Sequence, residues 1–267
     1  MRNKPKISVI VTTYNSGNVL GQCLKSIKNQ TFKDFELIVV DENSKDSTAK
    51  IAKKSADLFI VEGKERCQKR NIGASNSRAE YLLFLDSDME LSPTILEEIN
   101  KKLNPSTSII IPEISFGQGF WAKCKFFERS MYVGAHDVAK APRLYPKKIF
   151  EKASGFDEAV IGIEDLDLYN RIRKQNKNLK IEEINSPIYH NEGKLRYLQI
   201  VKRMSYYSKS FREYKRRHPE EFKKQISPLR YLKYWKNFLR HPFLAFGFFL
   251  TRGSEAAVIF YSILKKD

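Results

Sequence analysis

The sequence predicts an α/β protein with a mostly parallel sheet flanked by helices, followed by a basic, aromatic helical extension. Three observations carry that expectation. Apolar runs of five or six residues (ISVIV, FELIVV, YLLFL) recur between stretches of helical spacing, as strands buried on both faces do in parallel sheets. Each run ends in polar or acidic residues, which is where such sheets bind ligands. The charge is also divided: residues 1–193 carry 30 Lys and Arg against 26 Asp and Glu, a net +4, whereas residues 194–267 carry 18 against 5, a net +13.

Taken in order, residues 7–11 read as the first strand, ending at Thr12, Thr13, Tyr14 and Asn15. Val19, Leu20, Cys23, Leu24 and Ile27 follow at helical spacing, with Ser16 or Asn18 as the cap. Residues 35–40 form the second strand, ending in Asp41, and Asn43, Ser44 and Asp46 supply turn and cap chemistry before a helix over 47–56. A short strand is expected at 58–61, a helix at 66–77 and a fourth strand from Tyr81 that stops at Asp86, Ser87 and Asp88. Pro93 opens a helix reaching about Leu103, and 108–111 is a fifth strand. This alternation implies right-handed βαβ units. Residues 117–132 read as an aromatic helix near the site, and most of Phe116, Phe120, Trp121, Phe126, Phe127 and Tyr132 are assigned to the core. A strand is expected at 143–146, a turn at 154–158 (SGFDE), and a helix at 164–174 whose acidic start and basic end suit its dipole. Residues 179–184 give a final strand, and 187–190 lead back toward the sheet edge.

The chemistry centres on YLLFLDSDME. In an extended segment residues two apart point the same way, so Asp86 and Asp88 are expected to converge. Two carboxylates together suit Mg²⁺ or Mn²⁺, which complete their shells with substrate phosphate oxygens. A bare DSD favours a solvated turn; the buried strand before it shifts the balance toward a site. Thr12, Tyr14, Asp41, Asp86 and Asp88 then gather at strand ends around a crevice of nucleotide size. No Gly-rich phosphate loop of the common patterns is present, so phosphate charge falls to a metal and to basic side chains such as Arg70. Cys23, Cys67 and Cys124 have neither metal nor redox spacing and read as reduced thiols. The N-terminal apolar run is too short for a signal peptide, which predicts a catalytic body facing the cytoplasm.

In order and spacing, VIVTTYN, IVVDENSKDST, RNIGA, FLDSDME, SGFDE and EDLDLYNR resemble family 2 glycosyltransferases with the GT-A fold, over roughly residues 5–190. The resemblance implies a catalytic domain over 1–193, with a nucleotide half to about 112 and an acceptor half from about 113. It implies an inverting transfer of a sugar from a UDP- or GDP-sugar to an acceptor hydroxyl, assisted by Mn²⁺ or Mg²⁺. Thr12, Tyr14 and Asp41 would hold the nucleoside, Arg70 would approach the diphosphate, Asp86 the ribose or a metal-bound water, and Asp88 the metal. His190, in PIYHN, stands where some members have a metal or diphosphate ligand. Asp165 matches the catalytic base, with Glu164 orienting the acceptor or sharing that work.

The tail interleaves basic and aromatic residues from Arg196 to Arg240, a pattern of helices lying in a membrane interface, although RNA could be bound by the same list. Two apolar stretches, 242–250 and 256–264, are each too short to span a bilayer, and joining them would carry Arg252 and Glu255 to its centre. An interfacial or re-entrant helical pair is expected over 242–264, with Lys265 and Lys266 at the surface, and a soluble helix packed on the body is the alternative. Residues 194–267 are thus read as a region docking on an anionic membrane surface, with a lipid-linked glycan as acceptor and no nucleic acid partner. The alternatives are a nucleotidyltransferase, which would be expected to carry a Gly-rich loop where this chain has TTYN, and a basic nucleic-acid-binding protein, which leaves the acidic set without a purpose.

Overall fold

The computed structural model describes residues 4–134 and 140–264, apart from the side chain of Lys209. The first half runs β1 (Ile7–Thr13), α1 (Leu20–Lys28), β2 (Phe35–Asp41), α2 (Thr48–Ser55), β3 (Leu58–Val61), α3 (Arg66–Ser75), β4 (Tyr81–Asp86), β5 (Met89–Leu91), α4 (Ile95–Lys102) and β6 (Thr107–Ile110). It continues through β7 (Glu113–Gln118), α5 (Phe120–Tyr132), β8 (Leu144–Pro146), α6 (Lys147–Lys152), α7 (Glu164–Gln175), β9 (Lys180–Glu183) and β10 (Ile188–Lys194). The extension is helical: α8 (Tyr197–Tyr207), α9 (Phe211–Arg217), α10 (Pro219–Ile226), α11 (Trp235–Arg240) and α12 (Pro242–Leu264), with short 3₁₀ turns between.

Seven strands form the main sheet in the order β3-β2-β1-β4-β8-β6-β9, and β8 alone runs antiparallel to its neighbours. β1 lies between β2 and β4 and is buried at every position. Its side chains alternate between two cores, as a period of two requires. Val9 and Val11 join Leu37, Leu83, Leu24 and Ile99 beneath α1 and α4. Ile10 points the other way, to Val40, Phe84, Phe150 and Leu168 beneath α3, α6 and α7. Burial of each such Val, Leu or Ile contributes about 1.5–3 kcal/mol, so both faces hold the strand in register.

Several expectations need correction. Neither Ser16 nor Asn18 caps α1 through its side chain; Val19 is the cap residue, and Ser16 contributes its backbone carbonyl to the amides of Val19 and Leu20. A second sheet, β5-β10-β7, was not anticipated, and 180–183 is not the last strand because β10 follows it. Asp86 and Asp88 are not consecutive residues of one extended strand: β4 ends at Asp86, and Ser87 and Asp88 form the turn into β5. Most of the six rings were expected in the core, but Phe127 is buried, Trp121 and Tyr132 are half-buried, and Phe116, Phe120 and Phe126 are exposed. α5 packs on β7 and α12 at the edge of the domain, which leaves one flank of the helix uncovered.

The apolar tail is one continuous helix rather than a pair. Arg252 and Glu255 do not interrupt α12 because they turn toward the body: Arg252 meets Glu128 of α5 at 2.5 Å and Glu255 at 2.7 Å. Phe248 of α12 is buried against Phe238 of α11, with ring centroids 5.5 Å apart. The opposite flank exposes Phe243, Phe246, Leu250, Phe260, Tyr261 and Leu264 at helical spacing. By length and composition α12 could cross a membrane, with a mean hydropathy of 1.4, and 28% of that stretch is buried. Lys265 and Lys266 lie outside the described residues.

Candidate active site

Strand register brings the polar ends level. Thr13 is opposite Asp41, Asp41 is opposite Val61, and Thr12 is opposite Asp86. Because these strands are parallel, their carboxyl ends share one edge of the sheet. Thr12 is buried there, and beside it the buried Thr13 Oγ1 has no hydrogen-bond partner among the described residues. Asp41 is buried, and its oxygens accept from the Ser44 amide at 2.8 Å and the Ser44 hydroxyl at 2.5 Å, so it shapes the ENS turn. Tyr14 stands exposed on the rim of a cleft of about 710 Å³ that Asn43, Gly63, Lys64 and Gln68 also line. Lys69 Nζ lies 6.0 Å from the Tyr14 ring, held by the Thr13 carbonyl at 3.1 Å and Glu42 at 2.8 Å.

Arg70 is 0% exposed and lies among carboxylates. It donates through Nη2 to Asp86 at 3.0 Å and through Nη1 to Asp165 at 2.7 Å and Glu164 at 3.4 Å. Arg66, one helical turn earlier, donates to Glu164 at 3.0 Å. Desolvation alone would raise the Asp86 pKa, but the guanidiniums of Arg70 and Arg66 hold it well below the usual carboxylate range. Glu164 is 2% exposed and taken up by the two arginines, whereas the Asp165 side chain is 36% exposed and can be reached from outside.

The neighbouring motifs hold this cluster in position. Asn71, next to Arg70, clamps Phe156 of SGFDE, accepting from its amide at 2.9 Å and donating to its carbonyl at 2.8 Å. Gly73 allows α3 to lie against β1, since a Cβ there would come within 2.4 Å of Ile10. Gly162, ahead of α7, has φ +83 and packs under Tyr207, where a Cβ would come within 2.2 Å. Asp167 is wholly buried and bonded to Arg171 and to His218, which fixes the first turn of α7.

Asp88 belongs to a separate group. Pairing of β10 with β5 sets His190 opposite Met89, and the Asn191 amide donates to the Asp88 carbonyl at 2.9 Å. His190 Nε2 then lies 3.4 Å from Asp88 Oδ2, and Nδ1 lies 3.6 Å from Glu113. Burial would lower the His190 pKa, but the carboxylates of Asp88 and Glu113 outweigh it and push it up to about 9. Asp88 Oδ1 is buried and has no hydrogen-bond partner among the described residues. The unpartnered carboxylate oxygen fits a Mn²⁺ or Mg²⁺ ion, which His190 would join as a ligand on giving up its proton. Among the described residues no three His, Cys, Asp or Glu side chains form a complete metal-binding group, so further oxygens would come from a ligand or water.

A cavity of about 420 Å³ adjoins these groups, with Glu164 and Asp165 on one wall and Glu113, Arg129 and Arg143 on another. Glu113 and Arg143 were not singled out in the sequence. Burial would raise the Glu113 pKa, yet Arg143 and Arg129 keep it far below the usual range. No local motif marks Glu113, and the strand it begins carries no sequence signal of its own.

The profile of the family described as "Glycosyl transferase family 2" matches residues 8–171. The poly(ribitol-phosphate) beta-N-acetylglucosaminyltransferase TarP of Staphylococcus aureus (strain N315) is 32% identical over 169 residues, 55% of this chain and 50% of that protein. This chain therefore spans about half the length of that relative. Among solved structures, S. aureus TarS 1-349 in complex with UDP-GlcNAc matches with a TM-score of 0.56 at 16% identity, covering 95% of this chain and 90% of that one. Mannosyltransferase PcManGT from Pyrobaculum calidifontis, in complex with GDP-Man and Mn2+, matches with a TM-score of 0.60 at 15% identity, covering 100% of this chain and 77% of that one.

Proposed function

The chain belongs to glycosyl transferase family 2, and from that premise we propose that it moves a sugar from a nucleotide-diphosphate sugar to an acceptor hydroxyl, with a divalent cation and inversion at the anomeric carbon. Membership of that family favours a glycosyl transfer over the nucleotidyltransferase reading. The observation that carries the proposal is that Arg70 joins Asp86, at the end of a central strand, to Asp165, which stays accessible at the mouth of α7.

In this reading Thr12, Tyr14 and Asp41 bound the nucleoside site, with Tyr14 packing beside the base and Asp41 holding the turn that faces it. Asp86 faces the ribose, and Asp88 with His190 would hold the cation. When bound, that ion supplies positive charge for the diphosphate as it leaves. Asp165 takes the proton from the acceptor hydroxyl as its oxygen bonds to the anomeric carbon. The bond from that carbon to the diphosphate oxygen breaks on the opposite face, and the electron pair leaves with the nucleoside diphosphate. Arg70 is a positioning residue: it fixes Asp165 relative to Asp86 and touches neither substrate. Glu164 keeps both arginines in place.

The donors named for the relatives' complexes, UDP-GlcNAc and GDP-Man, define the first candidates here. A glycan or lipid-linked acceptor is consistent with the exposed apolar flank of α12 and the net +13 of residues 194–267, which favour peripheral docking on the anionic cytoplasmic face of a membrane. A panel of UDP- and GDP-sugars with Mn²⁺ tests the reading. A true donor at about 100 times its Kd stabilises the protein by about 2.7 kcal/mol and is hydrolysed slowly. No stabilisation and no hydrolysis with any donor would overturn it.

A further inference from the structure

An apolar groove of about 750 Å³ runs beside α12, lined by Phe211, Phe222, Ile226, Tyr231, Ile259 and Ile263. Its size is that of sites that enclose small molecules. Leu166, Arg230 and Arg252 line both this groove and the 420 Å³ cavity that holds Asp165. Leu166 is the residue after Asp165, so the two spaces meet within one residue of the proposed base. Around the smaller cavity, seven Lys and Arg side chains face four Asp and Glu among the described residues. Arg252 pairs with Glu128 and Glu255, yet its Nε is buried without a hydrogen-bond partner.

We propose that groove and cavity form one acceptor channel for a lipid phosphate: the apolar chain in the groove, the phosphate at Arg252 and the cationic cavity, and the hydroxyl-bearing head at Asp165. This rests on the transferase reading above and gives its acceptor a chemical class. Three features select this occupant. An apolar groove alone takes any chain, and a cationic cavity alone takes any anion, but their shared wall requires both in one molecule. α12 forms part of the groove and also carries the exposed apolar stripe, so a lipid lying in a contacted bilayer has a short path inward. The channel also explains why Arg252 lies within an apolar helix: it serves the cavity side while the stripe serves the lipid.

The test uses the full chain and soluble probes: geranyl phosphate, geraniol and inorganic phosphate, each titrated by calorimetry below micelle-forming concentrations. Two variants accompany the wild type. Gly253 lines the groove, and a Cβ there would meet nothing within 4 Å, so Gly253→Trp directs a large side chain from an open position into the groove. Phe243→Ser alters the exposed stripe outside the groove. Geranyl phosphate is expected to bind the wild type at least about tenfold more tightly than either partial probe, and Gly253→Trp to weaken it at least about tenfold while Phe243→Ser does not. Equal binding of geranyl phosphate and geraniol, or of geranyl phosphate and inorganic phosphate, overturns the channel, as does an equal response of the two variants. Donor binding by the same wild-type preparation separates the two levels. Donor binding without lipid-phosphate binding overturns this inference alone; lipid-phosphate binding without donor binding overturns the transferase reading and the acceptor role.

Discussion

Arg70 donates to Asp165 across 2.7 Å from a position that is wholly buried. The same guanidinium bonds Asp86 at 3.0 Å, so one side chain ties the end of β4 to the start of α7. Removing one partner of a buried ion pair costs about 3–5 kcal/mol, because the carboxylates are left uncompensated. Arg70→Met is expected to lower the urea midpoint accordingly. Arg70→Lys keeps the charge but loses the fork, so it should fold better and lose kcat with little change in donor KM. Recovery of full kcat by the Lys variant would remove the positioning role.

Asp165→Asn keeps the shape of the side chain and removes the base. Loss of general-base catalysis costs about 10²–10⁴ in rate. Donor affinity, measured by calorimetry with a non-transferable analogue, should stay within about threefold of the wild type, well under one tenfold step of binding energy. Equal losses of binding and transfer would mean that Asp165 serves the donor instead.

α12 turns Arg252 and Glu255 inward and Phe243, Phe246, Phe260 and Tyr261 outward, which predicts membrane docking through the stripe. The full chain should float with anionic vesicles and less well in high salt. Replacing Phe243, Phe246 and Phe260 by Ser should abolish flotation without unfolding the protein, since all three rings are exposed. A wild-type chain that stays at the bottom of the gradient would end the interfacial reading.

Acid should loosen the acceptor side of the metal-free protein. Burial would raise the pKa of Glu113 and Glu128, but Arg143 and Arg129 in one case, and Arg252 and Lys125 in the other, hold the folded-state values far below the ordinary 4.5. Depressed carboxylates contribute stability that is present above the unfolded value and lost as pH falls. The urea midpoint should therefore drop below about pH 4.5. His190 has the opposite sign: its contribution is present below the ordinary 6.5 and lost as pH rises toward about 9. A midpoint unchanged from pH 6 to 3.5 would contradict the buried pairing.

The central strands were legible because burial on both faces writes an unbroken apolar run. β3 falls on the expected 58–61, and β1, β2 and β4 differ from expectation by one or two residues at one end. β5, β7 and β10 were not legible. MEL is three residues long, and IYHNEGK is mostly polar, so neither carries a periodic signal, and pairing with distant segments makes them strands. The break expected in the apolar tail failed for a related reason: Arg252 reads as an interruption until Glu128, 124 residues earlier, is seen beside it. Local spacing located acidic clusters at strand and helix ends, but not which cation joins them. Arg70 is 16 residues from Asp86 and 95 from Asp165, and Glu113 meets His190 only through the second sheet.

The most direct measurement is calorimetric titration of UDP-GlcNAc and GDP-mannose into the wild type and Asp88→Asn, each with and without Mn²⁺. At least one donor should bind the wild type, at least about tenfold more tightly with Mn²⁺. Asp88→Asn should lose that metal-dependent gain, because the buried Oδ1 no longer belongs to a charged carboxylate. Wild-type and variant protein binding the donor equally, with the same response to Mn²⁺, would contradict the assignment of Asp88 and the site built around it.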